Sequence, residues 1–444
     1  MARFCEINRW QIYECARSKL RTKSWAVQWL SIVTLVATTL VSSASEPAQS
    51  ESLRNFEFHR GINIYPYMWP WVGPKSNFQW PPYGQNNFQM SKQDFALLRA
   101  VGFDFVRLPI DPGPLLQFPS RQAELIDEIK IGIDKILASG LNVIVDLHPQ
   151  QPPYPGTYTD IVAVPKNQDI FLRLVEGVSD LLATYPNDRV ALELMNEPTN
   201  SCDDAKWPRL RTQLFQRARS RAGDIFLVVT GSCYSELSGM KYIDVGDFDN
   251  KTLYTFHYYA PYYFTHQGAT WAQSPLVHYL SDIPWPAERG GAIASLAATS
   301  RRISADTQLS AATRIGLSAE AADLIAKYFA QANGPAQIKS DFDQVDLWAA
   351  KNRIPRGHVL LGEFGVLKQE GKYKGADLTS ATDWLKAVRQ QAEAHHFAWC
   401  MWTYGQAMAL ISNQNTHELY PEIVQSLGLD AKPLVGSTSA QKGN

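Results

Sequence analysis

The sequence predicts an α/β protein, a (β/α)8 TIM barrel with a long insertion between strands six and seven. Short apolar runs rich in Val, Ile, Leu and Phe occur eight times, and segments of helical periodicity alternate with them. Most of these runs are continuously apolar, as expected of parallel strands buried on both faces. An open doubly wound sheet is the alternative fold, but no Gly-rich turn follows the first strand. Eight strands with helical crossovers therefore favour the closed barrel.

The predicted elements alternate along the chain in the order that a barrel requires. The strands are His59–Ile64, Phe103–Pro109, Asn142–His148, Val190–Asn196, Ile225–Thr230, Leu253–Tyr258, His358–Phe364 and Phe397–Thr403. The first helix can begin at Ser91, a capping residue, and runs to about Ala100, before the Gly102 stop signal. The other helices are Arg121–Ser139, Gln168–Thr184, Trp207–Ala222 and Thr382–Ala394.

The connection between the sixth and seventh strands, Ala260–Gly357, is longer than a barrel crossover needs. Its first half is aromatic and contains Trp271 and Trp285, and its second half has helical stretches near Ser318–Gln331 and Asp341–Asn352. Long connections without structure of their own are uncommon unless they are functional. We interpret this region as an insertion over the active-site face followed by the normal crossover helix.

The N-terminal region has the pattern of an export signal. A basic stretch at residues 17–23 precedes an apolar run from Trp25 to Val41, and the small residues Ser42-Ser43-Ala44 follow it. We expect cleavage and a secreted or periplasmic protein. The apolar run is close to the length that spans a membrane, so an uncleaved anchor formed by residues 25–41 is the alternative. A mature N-terminus near Ser45 would decide for cleavage.

The predicted domain organisation follows from these patterns. It comprises an export signal or signal anchor (residues 1–44), a linker (45–55), a catalytic barrel (56–430) and a disordered C-terminal tail (431–444).

Charge and aromatic content indicate a neutral partner. The formal net charge is -1, so no global field favours nucleic acid or an acidic membrane. The chain has 13 Trp and 19 Tyr, an excess that suits a surface that stacks on flat ligands. We expect a neutral glycan as partner, no nucleic acid, no membrane unless the signal is uncleaved, and a monomer.

Cysteines are sparse. Cys202 and Cys233 follow neighbouring predicted strands, and export would permit a disulfide between them. Two unrelated buried thiols are the alternative, and the sequence leaves both open. No cysteine spacing resembles a zinc site.

Two carboxylates end very apolar strands, where an ionised group is costly unless it is used. Glu197 lies in Leu-Met-Asn-Glu-Pro after the fourth strand, and Glu363 lies in Leu-Gly-Glu-Phe-Gly on the seventh. Catalytic groups of barrels gather at the carboxyl ends of the strands. Cleavage of a glycosidic bond needs such a pair, one to protonate the leaving oxygen and one to attack the anomeric carbon. The alternative is that either Glu is the structural partner of a buried Arg.

Four further polar residues at strand ends can support this pair. Arg107 could orient Glu363 and keep it ionised, and Tyr259 could donate a hydrogen bond to the same carboxylate. Asn196 could donate to a sugar hydroxyl. His257 could bind substrate or hold the carboxylates.

Candidate substrate contacts are mainly aromatic. His148 and Trp402 end strands, and Trp402 could form an apolar floor under a sugar ring. Trp69, Trp71 and Tyr154 lie on loops after the first and third strands. Each could instead seal the rim of the barrel.

Together these residues resemble glycoside hydrolase family 5. The matching pieces cover nearly the whole chain after Ser52 and appear in the family's order: Arg107 with Pro109, His148, Asn196-Glu197-Pro198, His257 with Tyr259, Glu363-Phe364-Gly365, and Trp402. The resemblance implies a (β/α)8 fold and a retaining double displacement with Glu197 as acid/base and Glu363 as nucleophile. It also implies no cofactor and no required metal. The long connection before Glu363 departs from a minimal member and leaves the shape of the cleft open.

The resemblance implies an enzyme that cuts β-linked glucans, mannans or related glycans. An endo-β-1,4-glucanase is our first hypothesis. The alternatives are an exo-acting β-glycosidase, a mannanase or a transglycosylase on the same scaffold, and a carbohydrate-binding barrel without activity.

Overall fold

The computed structural model describes residues 58–433 except 69, 71, 74–76, 84–89 and 151–155. The predicted export signal and linker, and the tail from residue 434 onward, lie outside the described residues and stay predictions. Within the described part of the chain, no helix has the length and apolar character needed to cross a bilayer.

Eight parallel strands close into a barrel, which confirms the predicted fold class. They are β1 (Arg60–Asn63), β2 (Phe105–Ile110), β3 (Asn142–Leu147), β4 (Val190–Glu193), β5 (Phe226–Thr230), β6 (Thr252–His257), β7 (Val359–Phe364) and β10 (Ala398–Met401). Two short strands, β8 (Gln369–Glu370) and β9 (Tyr373–Lys374), form an antiparallel hairpin after β7. Each predicted strand coincides with one barrel strand.

Several strands end earlier than predicted. β4 ends at Glu193 rather than Asn196, and β10 ends at Met401 rather than Thr403. Glu197 and Trp402 therefore lie on loops just beyond strand ends.

Helices surround the barrel. Among the described residues they are α1 (Lys92–Val101), α2 (Gly113–Gln117), α3 (Gln122–Ala138), α4 (Tyr158–Ala163), α5 (Pro165–Leu182), α6 (Lys206–Arg221), α7 (Leu237–Met240), α8 (Tyr262–Thr265), α9 (Pro275–Tyr279), α10 (Ala292–Ala305), α11 (Ala311–Ala330), α12 (Pro335–Lys351), α13 (Leu378–Ala394) and α14 (Pro421–Ser426). Ser91 caps α1 by accepting from the Asp94 amide, and Gly102 ends it at φ 112°, as predicted.

The connection between β6 and β7 contains α8 to α12. The two predicted helical stretches correspond to the second half of α11 and most of α12. Helix α10 was not predicted, and it begins after Gly291 without a side-chain cap. Trp285 is buried in this region, whereas Trp271 is exposed. That the region is an insertion relative to other barrels stays a prediction.

The interior of the barrel changes from apolar to charged along the strands. Side chains two residues apart share a face of a strand. On β2, buried Phe105 precedes Arg107, on β3 Ile144 precedes Asp146, and on β4 Ala191 precedes Glu193. The amino-terminal half of the interior is thus an ordinary apolar core, formed by Phe58, Phe105, Ile144, Ala191, Phe226, Val228, Leu253, Leu360, Ala398 and Cys400. The carboxyl-terminal half carries the charges.

Candidate active site

Arg107 is the centre of the charged half of the barrel. Its side chain on β2 is fully buried, and its Nε and Nη2 donate to the two oxygens of Glu193 at 2.7 and 2.8 Å. Nη2 also lies 3.0 Å from Asp146 Oδ2. Bidentate Arg–carboxylate pairs are among the strongest and most directional hydrogen bonds in proteins. This arrangement fixes the plane of the guanidinium in the barrel.

The sequence reading did not single out Glu193, Asp146 or Asn63. Asn63 accepts from Arg107 Nη1 at 2.9 Å and donates to the Gly362 and Met401 carbonyls at 3.1 Å. The available signal was a charged or amide side chain inside an otherwise apolar strand, because such a group must find a partner when it is buried.

Glu363 is held by two donors. Arg107 Nη1 donates to Oε1 at 2.8 Å, and the Tyr259 hydroxyl donates to Oε2 at 2.9 Å. Both contacts are those that the sequence suggested. Burial raises the pKa of the Glu363 carboxyl, and the nearby His257 and Arg107 oppose that rise. The two hydrogen bonds and the guanidinium charge favour the carboxylate form.

Glu197 lies in a different environment. It follows β4 with a left-handed backbone, φ 35°, which is uncommon for a residue with a side chain and concentrates at functional sites. Burial raises its pKa to about 8, partly offset by Arg107. Its carboxyl group receives no direct guanidinium contact among the described residues. At neutral pH this environment favours the protonated acid.

His257 joins the two carboxyl groups. Its Nδ1 lies 2.7 Å from Glu197 Oε1 and 3.5 Å from Glu363 Oε2. Burial lowers the pKa of His257 to about 4, so the imidazole is neutral at physiological pH. One oxygen from each Glu and a ring nitrogen of His257 lie within 4.8 Å of one another. These three groups could offer ligands to a cation, but Arg107 places a positive charge beside Glu363 that opposes one.

His148, Asn196 and Trp402 form one side of the site. His148 Nδ1 lies 2.7 Å from Asp146 Oδ2, and its Nε2 lies 3.0 Å from Asn196 Nδ2. Asn196 Oδ1 accepts from Arg107 at 2.7 Å. The ring of partly buried Trp402 stacks on His148 with centroids 5.7 Å apart. His148 and Asn196 are thus bound into the Arg107 network, and Trp402 offers a flat surface at its edge.

Three predicted aromatic contacts and one possible disulfide remain at the rim of the barrel. Trp69, Trp71 and Tyr154 lie outside the described residues, so their substrate contacts stay predictions. Cys202 and Cys233 form a disulfide, which decides between the two alternatives that the sequence left open.

The mouth of the closed parallel barrel thus holds two carboxyl groups in unlike environments, Glu197 just beyond β4 and Glu363 on β7. Comparison with known proteins places the chain more narrowly. The model of the cellulases, glycosyl hydrolase family 5, matches residues 71–406. The chain belongs to this family and is a glycoside hydrolase.

Curated relatives share part of the chain. Endoglucanase C of Acetivibrio thermocellus is 27% identical over 247 residues, which cover 53% of this chain and 66% of that protein. Cellodextrinase A of Ruminococcus flavefaciens is 28% identical over 197 residues, 42% of this chain and 56% of that protein. The matched part therefore spans about two thirds or less of the length of these relatives.

Solved structures share the fold. A cellulose synthase subunit Z from Clostridioides difficile superimposes with a TM-score of 0.60 at 22% identity, covering 84% of this chain and 99% of that one. Cel5A of Thermotoga maritima in complex with cellobiose superimposes with a TM-score of 0.59 at 20% identity, covering 85% and 99%. A mannotriose complex of the same Cel5A gives 0.60 at 19% identity over the same shares.

Proposed function

We propose that this protein hydrolyses β-glycosidic bonds by a retaining double displacement, with Glu363 as nucleophile and Glu197 as acid/base. The observation that carries the proposal is the contrast between the two carboxyl groups. Glu363 accepts from Arg107 and Tyr259, whereas burial raises the pKa of Glu197 to about 8. Pairs of carboxyl groups whose environments push their pKa values apart are typical of a nucleophile and a general acid.

The separation of the two groups supports retention. An oxygen of each lies within 4.8 Å of the other. Retaining glycosidases have carboxyl groups about 5–5.5 Å apart, whereas inverting enzymes leave about 6.5–9.5 Å for a water molecule. The space between Glu197 and Glu363 suits direct attack by a carboxylate.

Two steps follow from this arrangement. In the first, the Glu363 carboxylate attacks the anomeric carbon while Glu197 gives its proton to the departing glycosidic oxygen, which leaves a glycosyl ester on Glu363. In the second, the Glu197 carboxylate takes a proton from water, and the resulting hydroxyl attacks the same carbon and releases Glu363. Tyr259 and Arg107 stabilise the Glu363 carboxylate before the first step and after the second.

The proposed substrate is a neutral β-1,4-glucan cut internally. Two observations support it: the relatives that match most of the core are endoglucanases, and the net charge of -1 suits a neutral polymer. The flat face of Trp402 beside His148 suits the C–H face of a pyranose ring. A β-mannan is the second candidate, because a solved structure of the same fold binds mannotriose. Action on short oligosaccharides is the third, because one relative is a cellodextrinase.

Reducing-sugar release from carboxymethyl-cellulose, mixed-linkage β-glucan, β-mannan and xyloglucan tests reaction and substrate together. Glu363→Gln removes the nucleophile but keeps the shape of the side chain, so we expect release to fall by about a thousandfold or more. Glu370→Gln on the β8–β9 hairpin is the matched control, and its release should equal that of the wild type. Viscosity that falls before many reducing ends appear would support internal cutting.

Equal release by Glu363→Gln and the wild type would overturn the assignment of the nucleophile. Binding of these polymers without any release by the wild type would instead support a carbohydrate-binding barrel without activity. Release with a proportionate, slow fall in viscosity would support an exo-acting enzyme.

A further inference from the structure

The loop that follows β5 contains an unusual turn. Cys233, Tyr234 and Ser235 have φ values of 50°, 58° and 55°, so three consecutive residues with side chains adopt the left-handed conformation. Each such residue costs about 1 kcal/mol or more and persists only where its surroundings hold it. The surroundings of this turn therefore have to supply restraints.

Close backbone approach on either side of the turn, between Gly231 after β5 and Gly239 in α7, restrains it. A Cβ atom on Gly231 would lie 2.5 Å from the carbonyl carbon of Gly239, and one on Gly239 would lie 2.3 Å from the Ser232 carbonyl oxygen. Only glycine fits at either position without movement. The chain directly after β5 therefore packs closely against α7, the short helix that follows the turn.

The turn bonds on both sides to the surroundings of Glu197. The Tyr234 amide donates at 3.1 Å to the carbonyl of Pro198, the residue after Glu197. The Ser235 carbonyl accepts at 2.8 Å from the amide of His257, whose ring pairs with Glu197 at 2.7 Å. The turn therefore connects the backbone that follows Glu197 with the residue whose imidazole contacts the Glu197 carboxyl group.

A covalent bond completes the restraint. Cys202, on the loop after β4, is joined to Cys233, the first residue of the turn. This bond ties the loop that carries Glu197 to the loop that holds the left-handed turn. Cys202 is partly exposed, whereas Cys400, the free cysteine among the described residues, is buried. A small thiol can therefore reach the disulfide more easily than it can reach Cys400.

We infer that the Cys202–Cys233 disulfide is a redox-sensitive clamp that positions Glu197 for proton donation to the leaving group. The inference rests on the proposed role of Glu197 as acid/base. Reduction by a dithiol breaks the S–S bond, gives two protein thiols and converts the reductant to its cyclic disulfide, so two electrons and two protons pass to the protein. The turn then loses one of its restraints, and Glu197 loses its fixed orientation to His257 and to the scissile oxygen.

Dependence on the leaving group separates this positioning role from a merely structural one. A sugar leaving group needs the proton of Glu197, whereas an activated aryl group such as dinitrophenolate leaves without it. The value of kcat/KM reports the first irreversible step, in which the leaving group departs. Misplacement of the acid should therefore lower kcat/KM for an unactivated oligosaccharide much more than for a dinitrophenyl glycoside.

The experiment measures kcat/KM of the full enzyme on cellotetraose and on dinitrophenyl β-cellobioside, with and without dithiothreitol. Cys202→Ala with Cys233→Ala gives the clamp-free enzyme, and Glu197→Ala gives the reference for complete loss of the acid. Val178→Ala, in the buried face of α5, is the control for general destabilisation. In the clamp-free and the reduced enzyme, we expect kcat/KM to fall about tenfold to a hundredfold on cellotetraose and to change little on the aryl glycoside.

Dithiothreitol should not change kcat/KM of the clamp-free variant, which has no disulfide to reduce. Val178→Ala keeps the disulfide, so dithiothreitol should affect it as it affects the wild type. The clamp would be overturned if Glu197→Ala shows the selective loss of kcat/KM but the clamp-free and the reduced enzyme lose kcat/KM equally on both substrates, or on neither. If Glu197→Ala itself loses activity equally on both substrates, the proposed role of Glu197 fails, and the clamp fails with it. Thermal melting of each variant shows that the comparison is made on folded protein.

Discussion

One guanidinium faces three buried carboxyl groups at the centre of this site. Arg107 lies within 3.0 Å of Glu193, Asp146 and Glu363. A single positive charge cannot compensate three negative ones in a poorly solvated interior. Burial accordingly raises the pKa of Asp146 to about 7 and raises that of Glu193, in each case against the opposing effect of Arg107.

On the proposed mechanism, Glu363 and Glu197 should set the acid and the alkaline limit of the pH range in which the enzyme is active. Glu363 has to be ionised to attack, so kcat/KM should fall at acid pH as Glu363 takes up a proton. Glu197 has to be protonated to donate, so kcat/KM should fall at alkaline pH as that proton is lost, with a pKa of about 8 in the free enzyme.

Glu236 provides a test of the alkaline limit. Its negative charge contributes to the raised pKa of Glu197, after burial. Glu236→Gln removes that charge, so the alkaline limb of the kcat/KM profile should move to lower pH by about half a unit, the size expected for one partly screened charge. A pH profile on a soluble glucan measures the shift.

Glu422→Gln on α14 is the matched control because it makes the same exchange at an exposed site away from the barrel mouth. Its profile should coincide with that of the wild type. An alkaline limb that stays in place, or moves upward, in Glu236→Gln would contradict the electrostatic account of Glu197.

At the scale of strands, a bulge between β6 and β7 determines how His257 and Glu363 face each other. Phe256 pairs with Leu361, but His257 pairs with Glu363, so Gly362 is passed over in the register. A bulge re-aims the side chains that follow it and is common next to active sites. His257 and Glu363 are thereby brought opposite each other at the mouth.

Gly362 is required at this bulge by the space around it. A Cβ atom there would lie 2.4 Å from Thr255 Oγ1 and 3.2 Å from His257 Nε2. Gly362→Ala should push His257 away from Glu197 and lower kcat/KM by about tenfold or more, with the barrel still folded. Steady-state kinetics together with circular dichroism measures both effects.

Gly357→Ala is the control, because a Cβ atom at that glycine would meet no heavy atom within 4 Å. It should leave kcat/KM unchanged. If Gly362→Ala were as active as Gly357→Ala, the bulge would not determine the position of His257.

The hydrophobic pattern of the sequence predicted which strands and helices are present better than it predicted where they end. All eight barrel strands were found because parallel strands give continuous apolar runs, and α1 was delimited by Ser91 and Gly102. The end of β4 was placed too late because Leu194 and Met195 remain buried beyond the ladder. The helix α10 was missed because Gly290 and Gly291 before it offer no side-chain cap. Strand bulges leave no mark in a hydrophobic pattern.

At the scale of the whole molecule, closure of the barrel creates contacts that no sequence window contains. Arg107 and Glu363 are 256 residues apart, and Arg107 and Glu193 are 86 apart. Residues at strand ends could be predicted to meet because parallel strands end at one face. Glu193 and Asp146 were missed because they lie inside the predicted strands Val190–Asn196 and Asn142–His148 rather than at their ends, and only the closed barrel shows that they face Arg107.

The most direct test of the account is to trap the glycosyl ester and locate it. A 2-deoxy-2-fluoro β-cellobioside with a dinitrophenyl leaving group should react once and then stall, because the fluorine slows hydrolysis of the ester more than the activated leaving group slows its formation. Peptide mass mapping of the labelled enzyme then identifies the nucleophile. The account predicts that the label is on Glu363. A label on Glu197 or on another carboxylate would contradict the roles assigned to the two groups.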